Sequence, residues 1–343
     1  MATLPLLPAT VIGSWSFPGW YAKLCADAKR DPQLYGPADL DEAVRDSVRL
    51  AVDDQLRAGV DILTDGEMQR VDFNLGFYDY IAGLKALPAS RLYGPPAHDQ
   101  RSRYLCVAPL AAPQGLGLVG EYRRLRTVTD APAKMPIAGP YTLAGCIEGG
   151  DVYRSRDEVA EALLPIVNRE MKSLVDAGVD FLQLDEPSFA CHPDHPERFL
   201  DLIARTVEGV RAKISIHMCF GNYRGRAVGW RSYKPLFPHL ARAKVHQLAL
   251  EFASREMSEI ELAKLIEPPM ELAAGLVDVK NTWVEPPELI AERLRQVLKH
   301  IEPERLQITP DCGFSQTARQ VACRKLANMV EGVRIVRREL STR

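Results

Sequence analysis

The 343-residue chain carries 43 lysines and arginines against 45 aspartates and glutamates, a formal net charge of -2. So balanced a chain offers no basic field to a phosphate backbone, and nucleic acid is not an expected partner. The first residues lack a basic segment followed by a long apolar run, and nowhere do about 18 apolar residues follow one another, so neither secretion nor membrane insertion is expected and a cytoplasmic location is.

In chain order, short apolar strands are predicted at 10–14, 60–64, 135–139, 181–185, 214–218, 247–251, 272–277 and 306–309. Amphipathic helical patterns lie between most of them, including 41–58, 157–177, 286–300 and 315–338. Pro and Gly cluster between 88 and 117, read as a long excursion inside one domain; whether 84–116 covers a site stays open. Strands alternating with helices imply parallel pairing through crossovers. Eight such units predict an α/β fold, a single (β/α)8 TIM barrel spanning 1–343, with long inserted loops beyond the roughly 250-residue minimum.

Alternation within the strands says which side chains share the barrel interior. In 181–185 (FLQLD) Gln183 and Asp185 oppose Leu182 and Leu184; in the next strand Ser215, His217 and Cys219 oppose Ile214, Ile216 and Met218. Gln247, Ala249 and Glu251 oppose Leu248 and Leu250. The polar sets are expected to point inward, and the strands' C-terminal ends are where this fold places its chemistry.

His217 and Cys219 stand two apart on one strand, about 7 Å along one face. Glu251 ends the following strand, and Cys312 follows the last in PDCGF. One imidazole, two thiols and a carboxylate form a zinc-type set, since magnesium and calcium demand oxygen ligands. An isolated His-x-Cys is more often a packed core pair; the strand-end placement of all four, and Cys312 beside Asp311 and Gly313, favour a metal. The seven cysteines are scattered and odd in number, which fits reduced thiols rather than a disulfide framework. Cys25, Cys106, Cys146 and Cys323 have no ligand spacing, and Cys191, His192 and His195 are read as a loop and helix start.

The chain resembles the catalytic C-terminal domain of cobalamin-independent methionine synthase. The resemblance runs through VIGSWSFP (11–18), DGEMQRVDF (65–73), IAGPYTLA (137–144), LQLDEPSFA (182–190), IHMCFGN (216–222), the Glu of LALEFA (248–253) and PDCGF (310–314). It implies a barrel with Zn2+ held by His217, Cys219, Glu251 and Cys312, and L-homocysteine as methyl acceptor, its carboxylate at Ile12, Gly13 and Ser14 and its ammonium at Glu67 and Asp185. Without the resemblance, DGE reads as a solvated turn and Asp185-Glu186-Pro187 as a helix cap. The long family members carry a second, N-terminal barrel; here the chain is expected to be the catalytic barrel alone. Glu251 is the ligand expected to loosen when the substrate sulfur arrives.

The sequence departs from the family on the methyl-donor side. Folate-using long forms have a Trp where Cys146 is placed, a Glu where Cys191 is placed, a His where Lys280 stands, and an Arg-Pro-Pro run where 107–110 reads VAPL. A methyl on a folate nitrogen is a poor electrophile without a nearby acid and a tightly posed ring. The expected donor is therefore a methylated corrinoid, methylcobalamin free or carried by a corrinoid protein. Lys280 could replace the lost acid only if burial lowered its pKa. Methyltetrahydrofolate as donor, alkyl transfer to another thiol such as coenzyme M, and a non-catalytic zinc- or corrinoid-binding barrel are the alternatives.

Overall fold

The computed structural model describes residues 4–70, 75–91, 100–191, 194–222 and 231–342. Six parallel strands, Met135–Ala138, Phe181–Asp185, Lys213–Met218, Gln247–Glu251, Glu271–Val277 and Leu306–Pro310, pair in chain order. Bridges between Ala9 and Ile308, Thr10 and Ile62, and Leu63 and Ala133 carry the pairing around the remaining two positions and close the ring. The result is the (β/α)8 barrel expected, with strands at six of the predicted places and isolated bridges at the first two.

The first two predicted strands are reduced to isolated bridges, and at the end of the second a side chain takes over the pairing. The amide of Gln55 donates to the Thr64 carbonyl at 3.1 Å and accepts from the Thr64 N–H at 3.0 Å. It satisfies the backbone groups that a longer ladder would otherwise pair. Freed of that ladder, the chain after Thr64 is available to build a loop at the barrel mouth.

The helices that cover the strands follow their local signals. Pro37–Ala58 starts with Pro at its first turn and ends at Gly59, whose φ of 85° makes the left-handed cap. Arg156–Asp176 is capped by Ser155, whose hydroxyl accepts from the Glu158 N–H at 3.2 Å, with Asp157 and Glu158 in its positive first turn. Pro287–Val297 and Arg319–Ser341 cover the last strands. Among the described residues no helix is long and apolar enough to cross a membrane.

The Pro/Gly-rich excursion is a β-hairpin, Ala82–Arg91 antiparallel to Gln100–Ala111, extended by a parallel pairing of Tyr104 and Leu105 with Ile147 and Glu148. Sequence patterning missed it because Pro88 and Gly83 interrupt the alternation. They sit within the two register irregularities, between Leu87 and Ser90 and between Ala82 and Leu84, where strands tolerate such residues.

Candidate functional site

The strand Lys213–Met218 turns His217 into the barrel, and Cys219 follows with the same parity. Across the ring the chain leaves Leu306–Pro310 and reaches Cys312. The sulfurs of Cys219 and Cys312 lie 3.5 Å apart. Together with a ring nitrogen of His217 they bring three ligand atoms within 4.8 Å of one another, and among the described residues no second such group occurs. Nδ1 of His217 is bonded to Oδ1 of Asp185 at 2.8 Å, whereas Nε2 is buried without a hydrogen-bond partner. An orphaned imidazole nitrogen beside two thiols is a soft donor set that fits zinc.

The electrostatics agree with cation binding. Burial opposes charge on His217, but Asp185 and the nearby Cys312 sulfur outweigh it and lift the imidazole to about 9. The hydrogen bond from Cys219 holds Cys312 well below the usual thiol range against burial, aided by His217 and Lys280; the same bond and burial push Cys219 up. A thiolate stabilised by an imidazolium is a place where a divalent cation displaces a proton.

Asp185 is itself held in place. Gln183 Nε2 donates to Asp185 Oδ1 at 2.8 Å and to the Ile12 carbonyl at 3.0 Å, while its Oε1 accepts from Lys134 Nζ at 2.6 Å. Burial pushes the Lys134 ammonium down to about 7. This line of side chains, Lys134, Gln183, Asp185 and His217, fixes the ring orientation that leaves Nε2 free for a metal. Gln183 and Lys134 were not among the expected site residues; the inward parity of Gln183 was the signal available for it.

Glu251 is fully buried but stands outside the three-atom group. Its Oε2 accepts from Lys280 Nζ at 2.7 Å and from the Phe220 N–H at 3.2 Å, and its Oε1 accepts from Ser254 Oγ at 2.6 Å. Its charge still reaches the thiols, contributing to the upward push on Cys219. Lys280 does not become the weak acid that burial alone would make it: burial is the largest single influence, but Glu251, Cys312, Cys219 and Asp311 together outweigh it and hold its pKa above the ordinary lysine range.

A carboxylate pocket adjoins the thiol group. Glu67 is 2% exposed, adopts a left-handed φ of 55°, and pairs through Oε1 with Arg70 at 3.2 Å. Its Oε2 and the Oδ2 of Asp65 are buried without partners. Burial raises the Glu67 carboxyl well above its usual range, opposed by Arg70 and reinforced by Asp185, whose charge thus reaches both pocket and thiol site. Gly13 makes room here, since a Cβ on it would lie 2.4 Å from Glu67 Oε1. The Ile12–Gly13–Ser14 segment is pinned by Thr64 Oγ1 donating to the Gly13 carbonyl at 2.8 Å and by the Phe314 N–H donating to the Ser14 carbonyl at 2.8 Å.

The donor-side positions are separate elements. Cys146 is buried after the helix Pro140–Ala144, Cys191 ends Pro187–Cys191, and 107–110 lies on the hairpin strand Gln100–Ala111. His195 precedes the helix Pro196–Thr206 as its cap, as read from sequence; His192 falls outside the described residues, as do 71–73 of the DGEMQRVDF motif.

Residues 7–334 match the family described as "Cobalamin-independent synthase, Catalytic domain". The methionine synthase of Thermococcus kodakarensis is 37% identical over 98% of this chain and 96% of its own length. That of Sulfurisphaera tokodaii is 33% identical over 100% of this chain and 96% of its own. A B12-independent methionine synthase from Shewanella sp. W3-18-1, solved in complex with selenomethionine, superposes with a TM-score of 0.85 at 28% identity, covering 99% of this chain and 100% of that one.

Proposed function

This chain belongs to the cobalamin-independent methionine synthase family, by its catalytic domain, and from that premise we propose that it transfers a methyl group to the thiol of L-homocysteine with zinc at His217, Cys219, Cys312 and Glu251. The observation that carries the reading is the place of Asp185, bonded to His217 of the thiol group and electrostatically felt by Glu67 of the carboxylate pocket. A sulfur site and an ammonium site side by side suit an amino-acid thiol. When bound, zinc supplies the Lewis acidity that keeps the substrate sulfur a thiolate near neutral pH. Glu67 and Asp185 then hold the ammonium, whose transfer from water requires anionic partners, and the Ile12–Ser14 backbone takes the carboxylate. The sulfur attacks the donor methyl in line: an S–C bond forms, and the methyl–donor bond breaks with its electron pair remaining on the donor. The Shewanella protein was solved in complex with selenomethionine, the selenium analogue of the proposed product, which supports an amino-acid ligand of this class.

The donor proposed is a methylated corrinoid. Support comes from Cys146, Cys191 and Lys280 at the positions of the Trp, Glu and His of folate-using forms, and from Lys280 being engaged by Glu251 rather than poised as an acid. The family's cobalamin-independent designation favours methyltetrahydrofolate as the second reading. Two measurements test the whole. Calorimetry of zinc-loaded protein should find homocysteine preferred over homoserine and coenzyme M, the latter lacking an ammonium for Glu67. Methionine formation from methylcobalamin should outrun that from methyltetrahydrofolate at matched enzyme; faster turnover with the folate overturns the corrinoid assignment alone.

A further inference from the structure

Glu251 poses a physical problem that its neighbours answer. A carboxylate with no exposed surface cannot give up a metal by moving into water, so it leaves only if another buried cation receives it. Lys280 is that cation: its side chain is 6% exposed, and its Nζ already lies 2.7 Å from Oε2. The competing Arg231 stands 3.9 Å from Oε1 and is 40% exposed, a weaker partner. Ser254 Oγ and the Phe220 N–H complete the reception, so the carboxylate is satisfied while standing clear of the three-atom thiol group.

The ammonium is placed with care. The backbone N–H of Lys280 donates to Asp278 Oδ1 at 2.7 Å, and the ammonium of Lys325, wholly buried, donates to the Asp278 carbonyl at 2.7 Å and to Glu285 at 2.7 Å. The loop that carries Lys280 is thus tied down from beneath.

Resting on the zinc and thiol reading above, we propose that Lys280 is a positioning residue for ligand exchange: it competes with the metal for Glu251, holding the carboxylate as an ion pair so that a coordination place is free for the substrate sulfur. The family resemblance assigns this position to donor activation; the geometry assigns it to the acceptor side.

The test uses the full chain with zinc, read by X-ray absorption and by chelator competition. In the wild type, adding homocysteine should raise the zinc's sulfur neighbours from two to three with loss of the Glu251 oxygen neighbour. Lys280→Met should bind zinc about tenfold more tightly without homocysteine, because Glu251 then has only the metal as a buried counter-charge. It should retain an oxygen neighbour when homocysteine is added and bind homocysteine about tenfold more weakly. Lys280→Gln should shift both quantities in the same direction and serves if the Met variant does not fold. Variants with wild-type zinc affinity and the wild-type gain of sulfur overturn the role of Lys280 alone. A wild type that gains no sulfur overturns the thiol reading itself, and this proposal with it.

Discussion

Oδ1 of Asp185 accepts from Nδ1 of His217 at 2.8 Å, and Gln183 donates to the same oxygen at 2.8 Å. The carboxylate assigned by resemblance to the substrate ammonium therefore also sets the tautomer of a proposed metal ligand. Asp185→Asn should weaken zinc binding about 10- to 100-fold, the usual consequence of losing such a carboxylate. It should raise the homocysteine KM as well. Chelator competition and substrate titration on the same preparation check this; unchanged zinc affinity would confine Asp185 to the substrate.

Glu67 gives a pH-dependent prediction. Burial holds its folded-state pKa well above the ordinary value, so the folded protein keeps a proton that the unfolded chain loses above roughly pH 4. Its ionisation therefore costs stability as pH rises from there through the raised value. Glu67→Gln removes that cost: the variant should be at least as stable as the wild type at pH 7, and the wild type should gain on it as the solution is acidified toward pH 5. Homocysteine affinity should fall by roughly 2–5 kcal/mol, since an arriving ammonium draws the proton off Glu67 and gains a buried counter-charge that Gln cannot supply. Parallel thermal melts and calorimetry across pH read both effects, and an equally strong substrate affinity would remove Glu67 from the pocket.

Gly13→Ala places a methyl 2.4 Å from Glu67 Oε1 and 3.0 Å from Pro136 Cγ. The overpacking should cost about 1–3 kcal/mol in urea denaturation. Homocysteine binding should weaken by about tenfold as Glu67 is displaced, with zinc affinity retained.

Lys325 is buried against Glu285, whose side chain is 1% exposed. Lys325→Met removes the nearer of the two cations on Glu285 and leaves Arg293 at 3.4 Å, so it should cost less than the roughly 3–5 kcal/mol of a carboxylate left with no partner. A second change, Glu285→Leu, should recover most of the loss, measured as a double-mutant cycle of denaturation midpoints. Recovery would establish that the cost lies in the under-compensated charge rather than in the methionine's shape.

By itself the sequence determined the barrel and the sidedness of its site, because both are local properties of the chain. The pleat alternates every residue, so His217 and Cys219, two apart, had to share a face with Asp185 and Glu251 inward on neighbouring strands, and the strand–helix rhythm made the pairing parallel. Tertiary structure alone decided the partners. Asp185 meets His217 across 32 residues and Glu251 meets Lys280 across 29, contacts set by the ring's register and by loop geometry, neither of which has a period to read. The same holds for the Gln55 amide that replaces a ladder at Thr64, and for the hairpin whose Pro88 and Gly83 mask its alternation. Residue type and spacing supplied the chemistry on offer at the barrel mouth; the closed ring determined which carboxylate faces the His217 imidazole and which faces a lysine, because burial leaves each charge only the neighbours that the fold brings to it.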